Sequence, residues 1–563
     1  MLAGITPLWE GSLYPIGQIG SLVEIPQGPV KLVASVTLVG IAELSGVLEP
    51  SAAVQVGDRW LQVQLLGEID GVGRFHRGVR TYPGLDDPVH FTTPDGLRTI
   101  FPPPADERVL LGTLASAPDV TVALSLQALV TRHAAIVGST GSGKTSAVAS
   151  LLQNLVRGGW TSANVVIVDP HGEYSRALEA SAKVKSVLGP GTNILRVPFW
   201  AFPASDILRV FCGQESATVQ NRFSELVTTA RRKFVQSAAW LDLDPSGVSA
   251  DTPVPFDIYE VWFQLDYDNN ATYSQGSGKG APEIEHEGLA AALTPTRFRP
   301  YSMGSAAPFK GPLFGLYGTA PDRLRLRLTD PRFRFLVEPK GTPEGPDPLP
   351  AVIVEWLGND CPLSVLDFSG VPTEATDLAV GLVLQMLFEL SVRSRTKGIG
   401  RPRPVLVVLE EAHRYLGDSA TTRVAKESAN RIAREGRKYG VGLLLVTQRP
   451  SELPETALSQ VGTVLALRLT NATDQSTVRA ALPDAVAGLA EALPALRTGE
   501  AIVAGEAVAL PCRVQIIRPH PTPKADDPPL LSWRKAALEN DVAEAIARWR
   551  GSQQEDADDD QLA

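Results

Sequence analysis

The feature that most constrains this chain is a glycine-rich loop between an apolar run and an amphipathic run. Residues 138–145 have the sequence GSTGSGKT, a full match to the pattern G-x-x-x-x-G-K-[ST]. The apolar run HAAIV ends at the loop, and Val148, Leu151, Leu152 and Leu155 behind it fall on one helical face. A strand, a glycine loop and a helix in this order predict an α/β fold with a P-loop.

The glycines of such a loop let backbone N–H groups close around phosphates, and the helix N-terminus adds its positive dipole end. Lys144 is expected to reach the β- and γ-phosphates and Thr145 to ligate Mg²⁺, so the predicted cofactors are ATP and Mg²⁺. A similar sequence, GSGK at 276–279, has no strand before it and no helix after it, and we expect no phosphate there. The predicted phosphate-binding residues are Gly138, Ser139, Thr140, Gly141, Ser142, Gly143, Lys144, Thr145 and Ser146.

A second apolar run of strand length, PVLVVL at 404–409, ends in two carboxylates, Glu410 and Glu411. This is the Walker B arrangement, in which Glu410 would hold the water shell of Mg²⁺ and Glu411 would polarise the attacking water. Many P-loop proteins have Asp at the first position, so Glu410 departs from the usual pattern. The alternative is that the two acids cap the next helix.

Further apolar runs also end in polar residues. The run GLLLVT at 442–447 is followed by Gln448, which is expected to sense the γ-phosphate from the carboxyl end of a central strand. Asp169 and Glu173 follow one such run, and Asp367 ends another. We expect at least one of these acids to face the nucleotide or the metal; the alternative for each is that it organises its own turn.

Three arginines, Arg431, Arg434 and Arg437, recur at i, i+3 positions just before the run that ends in Gln448. A solvated helix face is the ordinary explanation of such a pattern. Because the paired carboxylates have no arginine motif near them in the same chain, we favour an arginine finger supplied to a neighbouring subunit.

Changes in the pattern of apolar and turn-forming residues along the 563-residue chain predict the domain organisation. Short β-rich runs with turn signals precede the Pro102–Pro104 run, which is typical of a linker behind a small β-barrel. An α/β alternation follows, is interrupted by a helical stretch and a Gly/Ser/Pro-rich loop, and then resumes with IVEW at 353–356 and SVLDFSG. The predicted regions are a β-barrel at 1–104, a first core part at 105–197, an inserted helical subdomain at 198–349, a second core part at 350–520, and an extension with an acidic tail at 521–563.

The amino-acid composition excludes some kinds of protein but does not indicate a function. A net charge of −10 argues against nonspecific coating of DNA, but a ring pore needs only a few basic residues from each subunit. We find no run close to the roughly 18 to 20 uncharged apolar residues of a membrane span and no signal peptide, so we expect a cytoplasmic protein without a membrane. Cys212, Cys361 and Cys512 lie far apart, which indicates neither disulfides nor a zinc site.

Taken in order, these motifs resemble the HerA family of the FtsK/HerA superfamily of ring ATPases. The resemblance implies a RecA-like core with a small N-terminal barrel and an inserted helical bundle, in a homohexamer that hydrolyses ATP between subunits and moves double-stranded DNA through its centre. It supports Lys144, Thr145, Glu411 and Gln448 in the roles above, and it makes Arg437 the first choice for the trans arginine and Arg434 the second. The pieces that carry it are RHAAIVGSTGSGKT, VDPHGEY, LDFSGVP, LEEAHRYL, IAREGRKYGVGLLLVTQRP and LPETALSQVGTVLALRLTN.

Members of this family commonly pair with a separate nuclease of the NurA type in DNA-end processing, or with a nuclease or sirtuin-like effector in antiphage defence. The resemblance therefore implies a partner of this kind on another polypeptide. Two other functions compete. One is a hexameric scaffold in which ATP binding holds the ring together around an effector, and the other is a coupling ATPase of conjugation, which the expected lack of a membrane anchor disfavours.

Overall fold

The computed structural model divides the chain into two compact units, Met1–Pro198 with Pro346–Lys524, and Phe199–Gly345 with Ala525–Ala563. The predicted acidic tail lies outside the described residues. The structure describes residues 8–9, 12–13, 19–41, 59–105, 107–187, 193–301, 306–338, 340–358, 360–394, 398–417, 423–482, 487–524 and 542–549.

The N-terminal part of the first unit is an antiparallel sheet of five strands in the order β6-β5-β4-β3-β7. Alternating apolar residues such as Val23 and Ile25 turn one face of these strands inward. Within the described residues β6 and β7 are the sheet edges, so closure into a barrel stays a prediction. The elements are β1 (Leu8–Trp9), β2 (Ser12–Leu13), β3 (Leu22–Gln27), β4 (Val30–Ile41), β5 (Arg59–Ile69), β6 (Phe75–Arg77), β7 (His90–Phe91) and α1 (Pro94–Ile100).

An 11-stranded sheet forms the core of the first unit. Its strands are β8 (Arg108–Leu114), β9 (Ala117–Ser125), β10 (Ala134–Val137), β11 (Asn164–Asp169), β12 (Ala182–Ser186), β17 (Leu363–Asp367), β18 (Val405–Leu409), β19 (Val441–Thr447), β20 (Thr463–Ala466), β21 (Glu500–Gly505) and β22 (Cys512–Ile516). The order is β12-β17-β11-β18-β19-β10-β20-β21-β22-β8-β9.

The strands from β12 to β20 in this order are parallel, as their buried and almost uninterrupted apolar sequences predict. The expectation of a parallel sheet is wrong for the other edge, where β21, β22, β8 and β9 pair antiparallel. Short connections join β21 to β22 and β8 to β9, since antiparallel neighbours need no crossover helix.

Helices flank this sheet. The segment containing IVEW is helical, because Asp347 caps a helix that buries Val352, Ile353 and Trp356 on one side. The helices are α2 (Leu126–Thr131), α3 (Lys144–Arg157), α4 (Ser175–Leu178), α10 (Pro348–Trp356), α11 (Thr373–Arg393), α12 (His413–Leu416), α13 (Arg423–Tyr439), α14 (Glu455–Ser459), α15 (Ala472–Ala481) and α16 (Ala487–Ala490).

Helix α11 contains a long apolar stretch, although none of its uncharged runs has the length of a membrane span. Among the described residues, one stretch, Ala375–Arg393, is long and apolar enough to cross a membrane by length and composition. It contains Asp377 and Glu389, and 78% of its most apolar window is buried inside the protein, where α11 packs on α13. This burial is that of a core helix.

The second unit is mainly helical and has its own aromatic core around Trp262, Phe199 and Phe256. The GSGK sequence at 276–279 forms a single short turn there. The elements are α5 (Ala204–Cys212), α6 (Ala217–Ser237), α7 (Ile258–Asn270), β13 (Thr272–Tyr273), β14 (Ile284–His286), β15 (Arg297–Phe298), β16 (Phe309–Lys310), α8 (Ala320–Thr329), α9 (Arg334–Val337) and α17 (Val542–Trp549).

Candidate active site

The glycine loop at 138–143 connects β10 to α3, at the edge of the sheet where the parallel strands end. Gly141 has φ +72° and Gly143 has φ +99°, a left-handed conformation that side chains disfavour. A Cβ on Gly143 would lie 3.2 Å from the backbone nitrogen of Gly499, so the chain also needs the space. The Gly499 N–H donates to the Ser142 carbonyl at 3.0 Å, which fixes the loop against the residue before β21.

The first half of the loop is fixed to the chain that follows β20. The Ser139 N–H donates to the Arg468 carbonyl at 2.8 Å, and the Thr470 N–H donates to Ser139 Oγ at 3.1 Å. Ser146 lies half-buried in the first turn of α3. The loop is therefore held in place before any ligand binds.

The ammonium of Lys144 is largely buried beside this loop and lies 3.3 Å from the Ser139 carbonyl. Burial lowers the pKa of Lys144, and the nearby carboxylates of Glu411, Glu410 and Glu173 oppose that effect. A partly desolvated cation with one long hydrogen bond retains donors for an anion.

Strand β18 delivers the two predicted acids to the same edge. Glu411 has φ +50°, so the backbone turns sharply there. Burial alone would raise the pKa of Glu411, but the hydrogen bond and charge of His413 and the charge of Lys144 outweigh it, so the pKa lies below its usual range. Glu411 is therefore ionised at neutral pH, as a group that orients water must be.

Glu410 has different surroundings. The Tyr174 hydroxyl donates to its Oε2 at 2.6 Å in a fully buried contact, and burial raises the pKa of Glu410 to about 8 against the opposing effect of that hydrogen bond. The predicted contact between Glu410 and the water shell of Mg²⁺ stays a prediction. Tyr174 ends the VDPHGEY piece, whose pattern indicated no role for it, and it reaches Glu410 because β11 and β18 are neighbours.

Gln448 follows β19 and meets the glycine loop directly. The Thr140 hydroxyl donates to Gln448 Oε1 at 2.7 Å. The preceding residue, Thr447, is fully buried and its Oγ1 lies 3.0 Å from His413 Nδ1, which in turn lies 3.2 Å from Glu411 Oε2. His413 thus connects the Walker B acid to the end of the strand that carries Gln448, a link that spacing in the sequence did not indicate.

The three acids at the ends of β11 and β17 separate into two kinds. Asp169 accepts the N–H groups of His171, Gly172 and Tyr174, so it organises its own turn. Asp367 accepts the Ser369 N–H at 2.8 Å and does likewise.

Glu173 is the acid that reaches the P-loop helix. The Thr145 hydroxyl donates to Glu173 Oε2 at 2.8 Å. A hydroxyl and a carboxylate oxygen in contact are the ligand types that Mg²⁺ prefers. The residues present therefore fit a Mg²⁺ ion, with Thr145 and Glu173 as the pair that geometry brings together.

The arginines of α13 lie elsewhere. Helix α13 ends at Tyr439, just before β19 begins, whereas Gln448 follows the end of β19. Seven strand residues separate the two ends by roughly 20 Å. The guanidinium groups of Arg434 and Arg437 are therefore at the opposite edge of the sheet from the P-loop of the same chain.

The three arginines also differ in their contacts. Arg431 pairs with Glu389 and stacks over the Phe388 ring at 4.6 Å, which explains it as a structural residue. Arg434 and Arg437 are exposed, and across the described residues no ion pair or hydrogen bond holds either guanidinium. They are free to contact another molecule.

Two family models and several known proteins match this chain. The family model described as the helicase HerA central domain matches residues 109–299, and the helicase HerA-like C-terminal model matches residues 373–530. The chain is similar to the DNA double-strand break repair helicase HerA of Sulfurisphaera tokodaii, with 27% identity over 83% of this chain and 80% of that protein. It is also similar to the protein of the same name from Pyrococcus furiosus, with 26% identity over 81% of this chain and 76% of that protein.

Among solved structures, VirB4 of Thermoanaerobacter pseudethanolicus matches 74% of this chain and 97% of that chain, at 14% identity and a TM-score of 0.47.

Proposed function

This chain belongs to the HerA helicase family, and on that premise we propose that it is a homohexameric motor that moves double-stranded DNA at the expense of ATP. It is an ATP-hydrolysing enzyme whose cofactors are ATP and Mg²⁺. The observation that most supports a shared, ring-type site is the position of the exposed Arg434 and Arg437 at the edge opposite the P-loop.

The geometry supports the following role for each group during hydrolysis. The glycine loop and the start of α3 hold the phosphates with backbone N–H groups, and Lys144 places its cation between the β- and γ-phosphates. Thr145 and Glu173 would hold Mg²⁺, which shields the phosphate charge when bound. The ionised Glu411 orients the attacking water.

Gln448 supplies the γ-phosphate sensor in this proposal. Its side-chain oxygen bonds the Thr140 hydroxyl, so a γ-phosphate in the loop would compete for the same groups. The resulting shift at the end of β19 would reach Glu411 through Thr447 and His413. The state of the nucleotide is thereby transmitted to the residue that activates water.

The arginine finger comes from the neighbouring subunit, with Arg437 as first choice and Arg434 as second. Neither guanidinium can span roughly 20 Å to its own nucleotide. In a ring, however, the amino edge of one sheet can face the P-loop edge of the next. A finger that stabilises charge on the transferring γ-phosphoryl group is worth on the order of 10³-fold or more in turnover.

Mixed rings test the shared site. Arg437→Ala subunits and Glu411→Gln subunits are each expected to be nearly inactive alone. Mixed one to one, they form interfaces in which an intact Glu411 meets an intact Arg437, and ATPase activity should partly recover. Recovery with Arg434→Ala instead, and none with Arg437→Ala in verified mixed rings, would assign the finger to Arg434.

A native-mass measurement tests whether the chain forms a hexamer, and assays with DNA test whether it is a motor. We expect a mass of six subunits with nucleotide and partner present; one or two subunits would contradict the hexamer.

The ATPase turnover should rise with duplex DNA, and the protein should displace a third strand from a triplex while consuming ATP. A ring that binds ATP and shows neither behaviour would be the scaffold instead.

The relatives' name, double-strand break repair helicase, supports a role in DNA-end processing. The partner in that role would be a separate nuclease of the NurA type, as the family resemblance implies. A nuclease or sirtuin-like defence effector is the other partner class. Co-purification of the chain with the product of an adjacent nuclease or sirtuin-like gene would distinguish the two. We further propose that it works in the cytoplasm.

A further inference from the structure

His133 is the residue immediately before β10, and its buried imidazole contacts two other elements. The backbone N–H of Leu443 on β19 donates to His133 Nδ1 at 3.0 Å, and His133 Nε2 lies 3.2 Å from the carbonyl oxygen of Ala433 on α13. A backbone N–H can only donate, so Nδ1 is the acceptor and Nε2 carries the proton given to Ala433. Both ring nitrogens therefore form hydrogen bonds, and these connect the start of β10 to β19 and to α13.

The backbone around His133 is fixed as firmly as its ring. His133 has φ +57°, in the left-handed region. The Gly462 N–H donates to the carbonyls of Arg132 at 2.7 Å and of His133 at 3.2 Å, which holds this bend in place. Burial lowers the pKa of His133, which keeps the ring in the neutral form that the two hydrogen bonds need.

These contacts join the parts of the molecule that act on nucleotide. Strand β10 leads into the glycine loop, and β19 leads to Gln448. Ala433 directly precedes Arg434 and stands one turn before Arg437 on α13. All the intervening strand residues are buried, so a displacement at one end of β10 or β19 moves the other end rather than being absorbed.

The space around this junction is tight. A Cβ added to Gly436 would lie 2.3 Å from the Val441 carbonyl oxygen and 3.4 Å from the His133 ring, and one added to Gly442 would lie 1.9 Å from the Val130 carbonyl oxygen. Helix α13, β19 and the entry to β10 are thus in close contact, and the imidazole is the polar link among them.

We propose that His133 is a positioning residue that couples the nucleotide state of a subunit to the arginines which that subunit presents to its neighbour. The inference rests on the shared site proposed above. A shift of β10 or β19 on nucleotide binding moves the imidazole, and the hydrogen bond to Ala433 passes the movement to the arginine-bearing end of α13. Coupling of this kind makes hydrolysis at one interface depend on occupancy of the next.

The variant His133→Asn separates this role from a merely structural one. Asn tolerates positive φ better than most residues, and its carboxamide oxygen can take the place of Nδ1 as the acceptor for Leu443. Its shorter side chain cannot reach Ala433. The change therefore keeps the link between β10 and β19 and removes the link to α13.

Mixed rings show in which of the two subunits at an interface His133 acts. In rings of Glu411→Gln and Arg437→Ala subunits, the first kind provides the working arginine and the second the working nucleotide site. His133→Asn placed in the Glu411→Gln subunit should lower the recovered ATPase about fivefold or more, whereas the same change in the Arg437→Ala subunit should leave it within about twofold. The second placement is the matched control, because damage to the P-loop itself would appear there.

Equal effects in the two placements, or a larger effect in the Arg437→Ala subunit, would overturn the role of His133 while leaving the shared site intact. No recovery even with native His133 would instead overturn the shared site and this inference with it. The two failures are therefore distinguishable.

A second measurement needs no change at His133. In rings carrying both Arg434→Ala and Arg437→Ala, the trans arginines are gone, so a response of α13 to nucleotide must come through its own subunit. Hydrogen exchange should show that a non-hydrolysable ATP analogue alters protection of the amides at 434–439 together with that of Leu443. Unchanged exchange at both places with the site saturated would refute the coupling.

Discussion

The ATPase unit and the inserted unit both bury charged side chains, but they use them differently. In the ATPase unit Lys144, Glu410 and Glu411 converge at one sheet edge, and Lys144 has a single long hydrogen bond among the described residues. In the inserted unit the guanidinium of the fully buried Arg231 donates to the carbonyls of Ala250, Trp200 and Phe202.

The comparison teaches how a buried charge can be interpreted. Burial perturbs both cations, since it lowers the pKa of Lys144 and lowers that of Arg231 to about 10. Arg231 donates to three backbone oxygens of its own unit and lies over the Phe256 ring at 5.2 Å, which is a packing role. Lys144 keeps donors beside a loop that a ligand can enter, which is a binding role. The perturbed pKa alone does not distinguish the two.

The largest effect is expected from Lys144→Ala. No other side chain of the loop can place a cation between the β- and γ-phosphates, so ATP turnover should be abolished. A matched control is Lys279→Ala in the GSGK turn of the inserted unit, which should leave turnover unchanged. Steady-state ATPase assays decide the matter, and a Lys144→Ala enzyme with more than a tenth of native turnover would contradict the assignment.

Glu411→Gln should be nearly as severe for hydrolysis but not for binding. The amide keeps the size of the side chain and loses the charge that orients water, so turnover should fall on the order of 10³-fold. Calorimetric titration with ATP and Mg²⁺ should still show binding close to native affinity. If binding is lost instead, Glu411 has a structural role.

Arg231→Met tests the other half of the comparison. It removes a buried cation that donates to three carbonyls, of which only that of Ala250 keeps a backbone donor among the described residues, the Ala204 N–H, so the inserted unit should be destabilised by about 3–5 kcal/mol. Hydrogen exchange of peptides within 199–345 measures this. Arg232→Met, at the exposed next position of α6, should cost much less. A large loss of nucleotide affinity with little change in exchange would mean that Arg231 has more than a packing role.

Asp266→Asn should give the smallest effect, and it depends on pH. Burial, followed by the charge of Asp322, raises the pKa of Asp266 to about 6, against a reference value of 3.8. The folded state therefore binds the proton more tightly, and its stability falls as the pH rises from about 4 to about 6.

The carboxamide of this variant cannot ionise, so the variant should match the native chain near pH 4 and exceed it above pH 6 by at most about 3 kcal/mol. Melting curves across this range, with the exposed Asp242→Asn as control, provide the measurement. A variant that is less stable than the native chain at pH 8 would show that the ionised carboxylate is stabilising.

The sequence by itself determined the ATP-binding loop, the paired acids and the order of the main strands along the chain. Each of these depends on residues close together in the chain: glycines at fixed spacing, an apolar run before a polar end, and an amphipathic run behind it. Strands β10, β11, β18 and β19 therefore begin and end near the predicted positions. The same local signals cannot tell a short apolar helix, such as the one that contains IVEW, from a strand.

Only the tertiary structure decided which distant residues meet. Glu173 rather than Asp169 or Asp367 contacts Thr145. Tyr174 reaches Glu410 because β11 lies beside β18 in the sheet. The antiparallel edge was likewise settled by the order of strands within the sheet. That order arises from the packing of the whole sheet, so motif spacing along the chain does not encode it.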